Sequence, residues 1–159
     1  MIMLVVVTSC RQIEPLVEQE LSQGPEFTAE IESFDPETKT ALDGNSVVWS
    51  AADQIAVFQG TAKADKYQVD EDCIGTKEGI FAVVAKGETS SAENFNANIA
   101  IYPYQDELAV TPTSATEYQI TGVTIPFVQT YAAGSFPDES FLMAAITDGL
   151  TDHTLNFKN

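Results

Sequence analysis

The sequence predicts an all-β protein, a β-sandwich of about seven strands. Three observations carry this. Short segments alternate apolar and polar residues with a period of two, the mark of a strand buried on one face. Gly, Pro, Asn, Asp and Ser fill the intervals between those segments, where the chain must turn. No long stretch keeps a helical period. At 159 residues, 44% of them hydrophobic, the chain suits a single packed domain of ordinary size.

The elements follow in chain order. Met1-Ile-Met-Leu-Val-Val-Val-Thr-Ser-Cys10 is an apolar run that passes through small residues to a cysteine. It reads as a partial lipoprotein signal over 1–10, with Cys10 as the lipidation site. No Lys or Arg precedes Cys10, so the basic part of such a signal is expected upstream. The alternative for the same stretch is a buried strand holding a free cysteine. Residues 11–25 read as a polar tether. Ile13, Leu16, Val17 and Leu21 have roughly helical spacing, but Pro15 intrudes and Gly24-Pro25 ends the segment.

Residues 26–159 form the predicted β-domain. Phe27, Ala29 and Ile31 face one way along the first strand, with Thr28, Glu30 and Glu32 opposite. Phe34–Thr38 is a turn around Pro36. A short strand over Lys39–Leu42 meets Asp43-Gly44-Asn45, a hairpin signal because Asp-Gly suits a type I′ turn. Val47 and Trp49 resume the alternation, Ser50–Asp53 turns the chain, and Gln54–Gln59 is the next strand. Further strands are expected at Gly79–Ala85, Asn98–Tyr102, Tyr118–Pro126, Phe141–Thr147 and Thr154–Lys158. Ser90–Asn94 could cap one short helical turn. The chain stops directly after an apolar strand, as at a domain boundary, so both ends are expected to be truncated.

Composition excludes several function classes. With 24 Asp plus Glu against 7 Lys plus Arg, the net charge is −17. Such a surface repels phosphate backbones and anionic membranes, which argues against nucleic-acid binding. No segment approaches the ~20 apolar residues of a membrane helix, so any membrane attachment is through the lipid. Of the two cysteines, Cys73 is unpaired if Cys10 is lipidated; otherwise the two could bridge in an oxidising compartment. Cys73 follows Asp70-Glu71-Asp72, and negative neighbours disfavour a nucleophilic thiolate.

No enzyme motif survives inspection, and the expectation is a protein without catalytic residues, cofactor or metal. The single histidine, His153, has no nucleophile motif to serve, and no CxxC, HExxH, GxGxxG or P-loop is present. Carboxylate pairs are unavoidable among 24 acids and carry no information on glycoside hydrolysis. Asp65 with Asp70-Glu71-Asp72 lacks the spacing of a calcium loop and reads as an exposed acidic loop. Trp49, Tyr102, Tyr104, Tyr118 and Tyr131 could stack on sugars, but Trp49 on an alternating segment reads as core.

Four segments resemble, in order, the fimbrillin-like proteins of the Bacteroidales, the type V pilins and their anchor and tip subunits. They are Thr38-Lys-Thr-Ala-Leu42 with Val48-Trp-Ser-Ala-Ala-Asp-Gln-Ile-Ala-Val-Phe58; Ile101-Tyr-Pro-Tyr104; Ile125-Pro-Phe-Val-Gln-Thr-Tyr-Ala-Ala-Gly-Ser-Phe136; and Leu155-Asn-Phe-Lys-Asn159. The likeness covers about Thr28 to Asn159. It implies a transthyretin-like Greek-key β-sandwich, the N-terminal domain of a two-domain subunit whose C-terminal domain is missing here. It also implies a non-enzymatic lipoprotein of the outer membrane, surface-exposed or in the fimbrium, contributing to pilus assembly or cell adhesion. Its partners would be other pilin subunits, joined by β-strand addition, and a host surface or glycan ligand. In polymerising members a protease cuts after an Arg beyond the first strand. Here the only arginine is Arg11, and the turn after that strand offers Lys39 instead. An accessory, anchor or tip subunit therefore fits the resemblance better than a polymerising stalk. The alternative is a stand-alone module that binds carbohydrate or a host ligand.

Overall fold

The computed structural model describes residues 24–32, 47–87, 95–125 and 142–158. Among them the protein is all-β, as expected, with nine strands and one 3-10 turn. The strands are β1 (Phe27–Ile31), β2 (Gln54–Gln59), β3 (Asp65–Val69), β4 (Glu78–Ala85), β5 (Asn98–Tyr102), β6 (Ala109–Pro112), β7 (Tyr118–Thr121), β8 (Met143–Ile146) and β9 (Thr154–Phe157); the 3-10 turn is Glu71–Cys73.

Seven strands form one sheet in the order β8-β5-β2-β3-β4-β1-β9. Neighbours are antiparallel except β1 and β9, which run parallel. The sheet curls until its two edges meet in an antiparallel bridge between Ala144 and Lys158. Curling solves a burial problem. The alternating faces of β1, β4, β8 and β9 put Phe27, Ala29, Ile31, Phe81, Met143, Ala145, Leu155 and Phe157 on one side. A closed sheet lets them fill one interior.

Trp49 plugs that interior. It is 1% exposed and makes edge contacts with Phe81, Tyr102 and Phe157 at ring separations of 4.9, 5.6 and 5.7 Å. Its indole Nε1 donates to the Lys77 carbonyl at 3.0 Å, which satisfies the one polar atom of the ring. The segment that carries it is not a strand, contrary to the alternation read at Val47 and Trp49. Its backbone pairs with the loop before β4 instead, through Trp49 N–H to Thr76 C=O and Gly75 N–H to Trp49 C=O.

The central strands β2 and β5 lose the alternating pattern because both of their faces are covered. Ile55, Val57, Ala100 and Tyr102 belong to the interior core. Ala56, Phe58, Ile99 and Ile101 point outward into a second core with Phe95, Ala97, Leu108 and Val110. The two-stranded sheet β6-β7 lies over this second core and makes the other layer of the sandwich.

Several boundaries differ from the expectation. The strand read over Tyr118–Pro126 stops at Thr121, where Gly122 takes φ +78°. The one over Phe141–Thr147 is Met143–Ile146, and Thr154–Lys158 shortens to Thr154–Phe157. Strands β3 and β6 were not expected. Within β3 only Tyr67 and Val69 are buried, too few to show a period in a segment with Asp65, Lys66 and Gln68. Asn98–Tyr102 and Gln54–Gln59 match their predicted bounds. The lipid signal, the tether up to residue 23, the Phe34–Thr38 turn, the Lys39–Leu42 strand with its Asp43-Gly44 hairpin, the Ser90–Asn94 turn and Tyr131 lie outside the described residues.

Candidate functional site

The side chains that could have carried chemistry are mostly occupied in building the fold. His153 is exposed, its ring against Phe27 at 5.0 Å, and its carbonyl accepts from Thr28 N–H at 2.9 Å. The Asp70-Glu71-Asp72 run is a capped turn, with Asp70 Oδ1 accepting from Asp72 N–H at 2.9 Å. Cys73 is a free thiol, half-buried, whose Sγ lies 3.4 Å from the Ile80 N–H donor. Among the described residues no three His, Cys, Asp or Glu side chains converge on a metal position.

The buried polar groups are likewise structural. The Asp53 carboxylate accepts from Tyr102 Oη at 3.0 Å and from Ser50 N–H at 2.7 Å, pinning the turn behind Trp49. Tyr67 is buried and receives a hydrogen bond from Gln59 Nε2 at 3.1 Å. Burial, reinforced by the Asp65 charge, pushes its phenol up to about 12. Tyr104 is also raised, chiefly by burial and then by Asp106, and its ring lies under Lys66 Nζ at 4.1 Å. Tyr118 packs against Phe95 at 5.2 Å. Of the aromatic groups considered for sugar stacking, the four among the described residues are engaged in the protein itself: Trp49 and Tyr102 are buried, Lys66 lies over the Tyr104 ring, and Tyr118 packs on Phe95.

Strand edges are where the backbone remains free to act. The two edges of the seven-stranded sheet meet at one bridge, Ala144 with Lys158, through bonds of 3.0 Å in each direction. Among the described residues the β6-β7 sheet has no third strand. Thr113 N–H donates to Glu117 C=O at 2.9 Å, and the register pairs Thr111 with Gln119 and Ala109 with Thr121. Antiparallel pairs alternate, so these residues point their backbone groups at each other. Val110 and Pro112 of β6, and Tyr118 and Ile120 of β7, point theirs outward. On β6 the outer edge is blunted, because Pro112 has no N–H to offer. On β7 both outward residues keep donor and acceptor. Among the described residues neither finds a backbone partner on that side.

The side chains along β7 match an unfinished layer. Ile120 lies across from the fully buried Val110, yet it remains 36% exposed. Beyond β7, Gln105 holds Thr124 in strand-like fashion: Gln105 Oε1 accepts from Thr124 N–H at 2.7 Å and Gln105 Nε2 donates to Thr124 C=O at 3.0 Å. Sequence reading placed a strand here but had no means of finding which edge stays open, since that depends on the phase of the hydrogen-bond ladder.

No protein-family model, no curated protein and no solved structure matches the chain.

Proposed function

We propose that this chain is a fimbrillin-like, non-enzymatic surface lipoprotein that contributes to pilus assembly or cell adhesion, anchored at Cys10 in the outer membrane. Its partners are other pilin subunits, which join by adding a strand at the outer edge of β7. The open β7 edge is the observation that carries this reading, because strand addition needs a row of free backbone donors and acceptors beside an apolar surface. Tyr118 and Ile120 supply the backbone groups, and half-exposed Ile120 supplies the apolar surface. The resemblance of four segments, in order, to fimbrillin-like proteins supports this reading, and the all-β fold is of the class that resemblance implies.

The test is Ile120→Pro in the native strain. This substitution deletes an outward N–H without touching the bonds to β6. We expect a protein with unchanged Trp49 fluorescence and unchanged membrane attachment that no longer enters the fibre fraction. A parallel Cys10→Ala variant loses the lipid mass and leaves the membrane. Normal fibre incorporation of Ile120→Pro would end the assignment of the β7 edge, and an unaltered mass for Cys10→Ala would end that of the anchor.

A further inference from the structure

A second opening lies where the seven-stranded sheet closes. Strands β8 and β9 are consecutive and antiparallel, joined by residues 147–153, so they could zip into a simple hairpin. The bridge between Ala144 and Lys158 sets the register and would place Ile146 opposite Asn156. No backbone bond joins that pair. The connecting loop is held from both sides instead. Asn98 Nδ2 at the start of β5 donates towards the carbonyls of Gly149, Leu150 and Asp152 at 3.3, 3.2 and 2.7 Å. On the far side His153 C=O accepts from Thr28 N–H of β1. With β8 tied to β5 and β9 tied to β1, the hairpin bows open between its loop and its one bridge.

The eyelet so formed opens a groove of about 580 Å3. Its wall on the β1 and β9 side carries Glu30, Glu32, Asn156 and Lys158, and its other wall is Ala144 and Ile146 of β8. Ala145, an inward-facing residue, also lines it, so the groove reaches into the seam between the strands. Among the described residues none of the four polar side chains has a hydrogen-bond or ion-pair partner. Ile146 is 54% exposed, with Ile99 beside it on β5. One further pairing shapes the field. Glu30 stands directly across from Glu78 on β4, a like-charge pair that is unfavourable until a cation arrives.

We infer that this eyelet binds a basic side chain, arginine or lysine, projected by an extended segment of a partner polypeptide. The cationic head would lie between the Glu30 and Glu32 carboxylates, and its methylene stem along Ile146 and Ala144, as such side chains do on apolar surface. The free backbone groups of Ile146 and Asn156 offer the segment its own hydrogen bonds. Charge complementarity selects the occupant: two carboxylates face one ammonium in the groove, on a chain of net charge −17. Lys158 opposes the same cation and limits its affinity. The inference is independent of the β7 edge and of the lipid anchor.

The probe is the peptide acetyl-Val-Arg-Val-amide, titrated into the 15N-labelled protein and compared with the same peptide carrying citrulline, the neutral isostere. We expect saturable amide shifts at Ala144, Ala145, Ile146 and Asn156, with the arginine peptide at least about five-fold tighter. Glu30→Gln with Glu32→Gln should abolish that preference, and Lys158→Gln should strengthen it by a similar factor. Equal binding of the two peptides, shifts scattered over the acidic surface, no saturable shift, or a preference that survives the double glutamine variant would each overturn the inference. Strand addition at β7 could succeed or fail without moving any of these readouts.

Discussion

At the scale of single residues, the polar groups inside this protein are there to hold apolar ones in place. Tyr67 makes the point in titratable form. Its ring sits edge-on to Phe27 at 5.2 Å, inside the core, while its hydroxyl reaches Gln59. Burial disfavours the phenolate, so the folded protein holds this proton more tightly than the unfolded chain, up to about 12 against an ordinary value of 10.0. The sign follows from linkage. The stabilisation is complete below pH 10 and is lost as pH rises from 10 towards 12. Urea unfolding at pH 9 and pH 11 should therefore show a fall in stability for the native protein. In Tyr67→Phe that fall should be smaller, and an equal fall in both would show that Tyr67 does not titrate against folding. Trp49 is the apolar counterpart. Trp49→Ala should cost about 3–5 kcal/mol, because it empties the interior among Phe81, Tyr102 and Phe157. A loss under about 1 kcal/mol in the same urea experiment would mean the core collapses around the gap.

At the scale of elements, Asn98 decides how β5 meets the loop between β8 and β9. Its carboxamide nitrogen faces three carbonyls, and its own N–H donates to Thr147 Oγ1 at 2.9 Å. Asn98→Ala strips the carbonyls of Gly149, Leu150 and Asp152 of that donor in a part-buried setting, at a cost of about 1–3 kcal/mol. The loss should be local first. Hydrogen exchange at residues 147–153 should speed up more than exchange in β2, and uniform acceleration would refute the local picture. This network also shows what could be read beforehand. Asn98–Tyr102 was legible as a strand from its apolar run, and β1 from the alternation of Phe27, Ala29 and Ile31. The role of Asn98 was not, because its partners lie about fifty positions away in sequence. The same holds at β3, where burial of Tyr67 comes from β2 and β4 rather than from a local period. Trp49 was legible as core but not as loop, since a plug needs only a hydrophobic ring at the right depth. The open edge of β7 and the bowed hairpin of β8 and β9 both hang on hydrogen-bond phase, which side-chain patterns do not encode.

At the scale of the whole molecule, fold and charge pull in opposite directions. Inner and outer cores bury both faces of β2 and β5, which makes the centre of the sheet the most protected part of the domain. Around it stands a chain of net charge −17. Among the described residues an ion pair joins Lys86 and Asp65 at 2.9 Å, with the Lys86 side chain 42% exposed. Such a pair contributes little, and the surplus carboxylates repel one another more in the compact state than in the expanded chain. Salt should therefore stabilise this protein. Raising ionic strength from ~0.01 M to ~0.1 M shortens the screening length from ~30 Å to ~10 Å, less than the width of such a domain. A gain of ~1 kcal/mol from relieved repulsion corresponds to ~2–4 °C in the melting midpoint for a domain of this size. Melting curves in sodium chloride should rise by about that amount over this range and then level off. The ion-specific stabilisation that sulfate produces by exclusion would keep rising instead, so comparing chloride with sulfate separates the two. A midpoint that is flat or falls in chloride would mean that the acidic groups are already balanced in the folded state. The same repulsion bears on assembly. Two copies of so acidic a chain approach each other poorly at low salt, so the strand proposed to join at β7 must bring apolar or basic side chains to offset it.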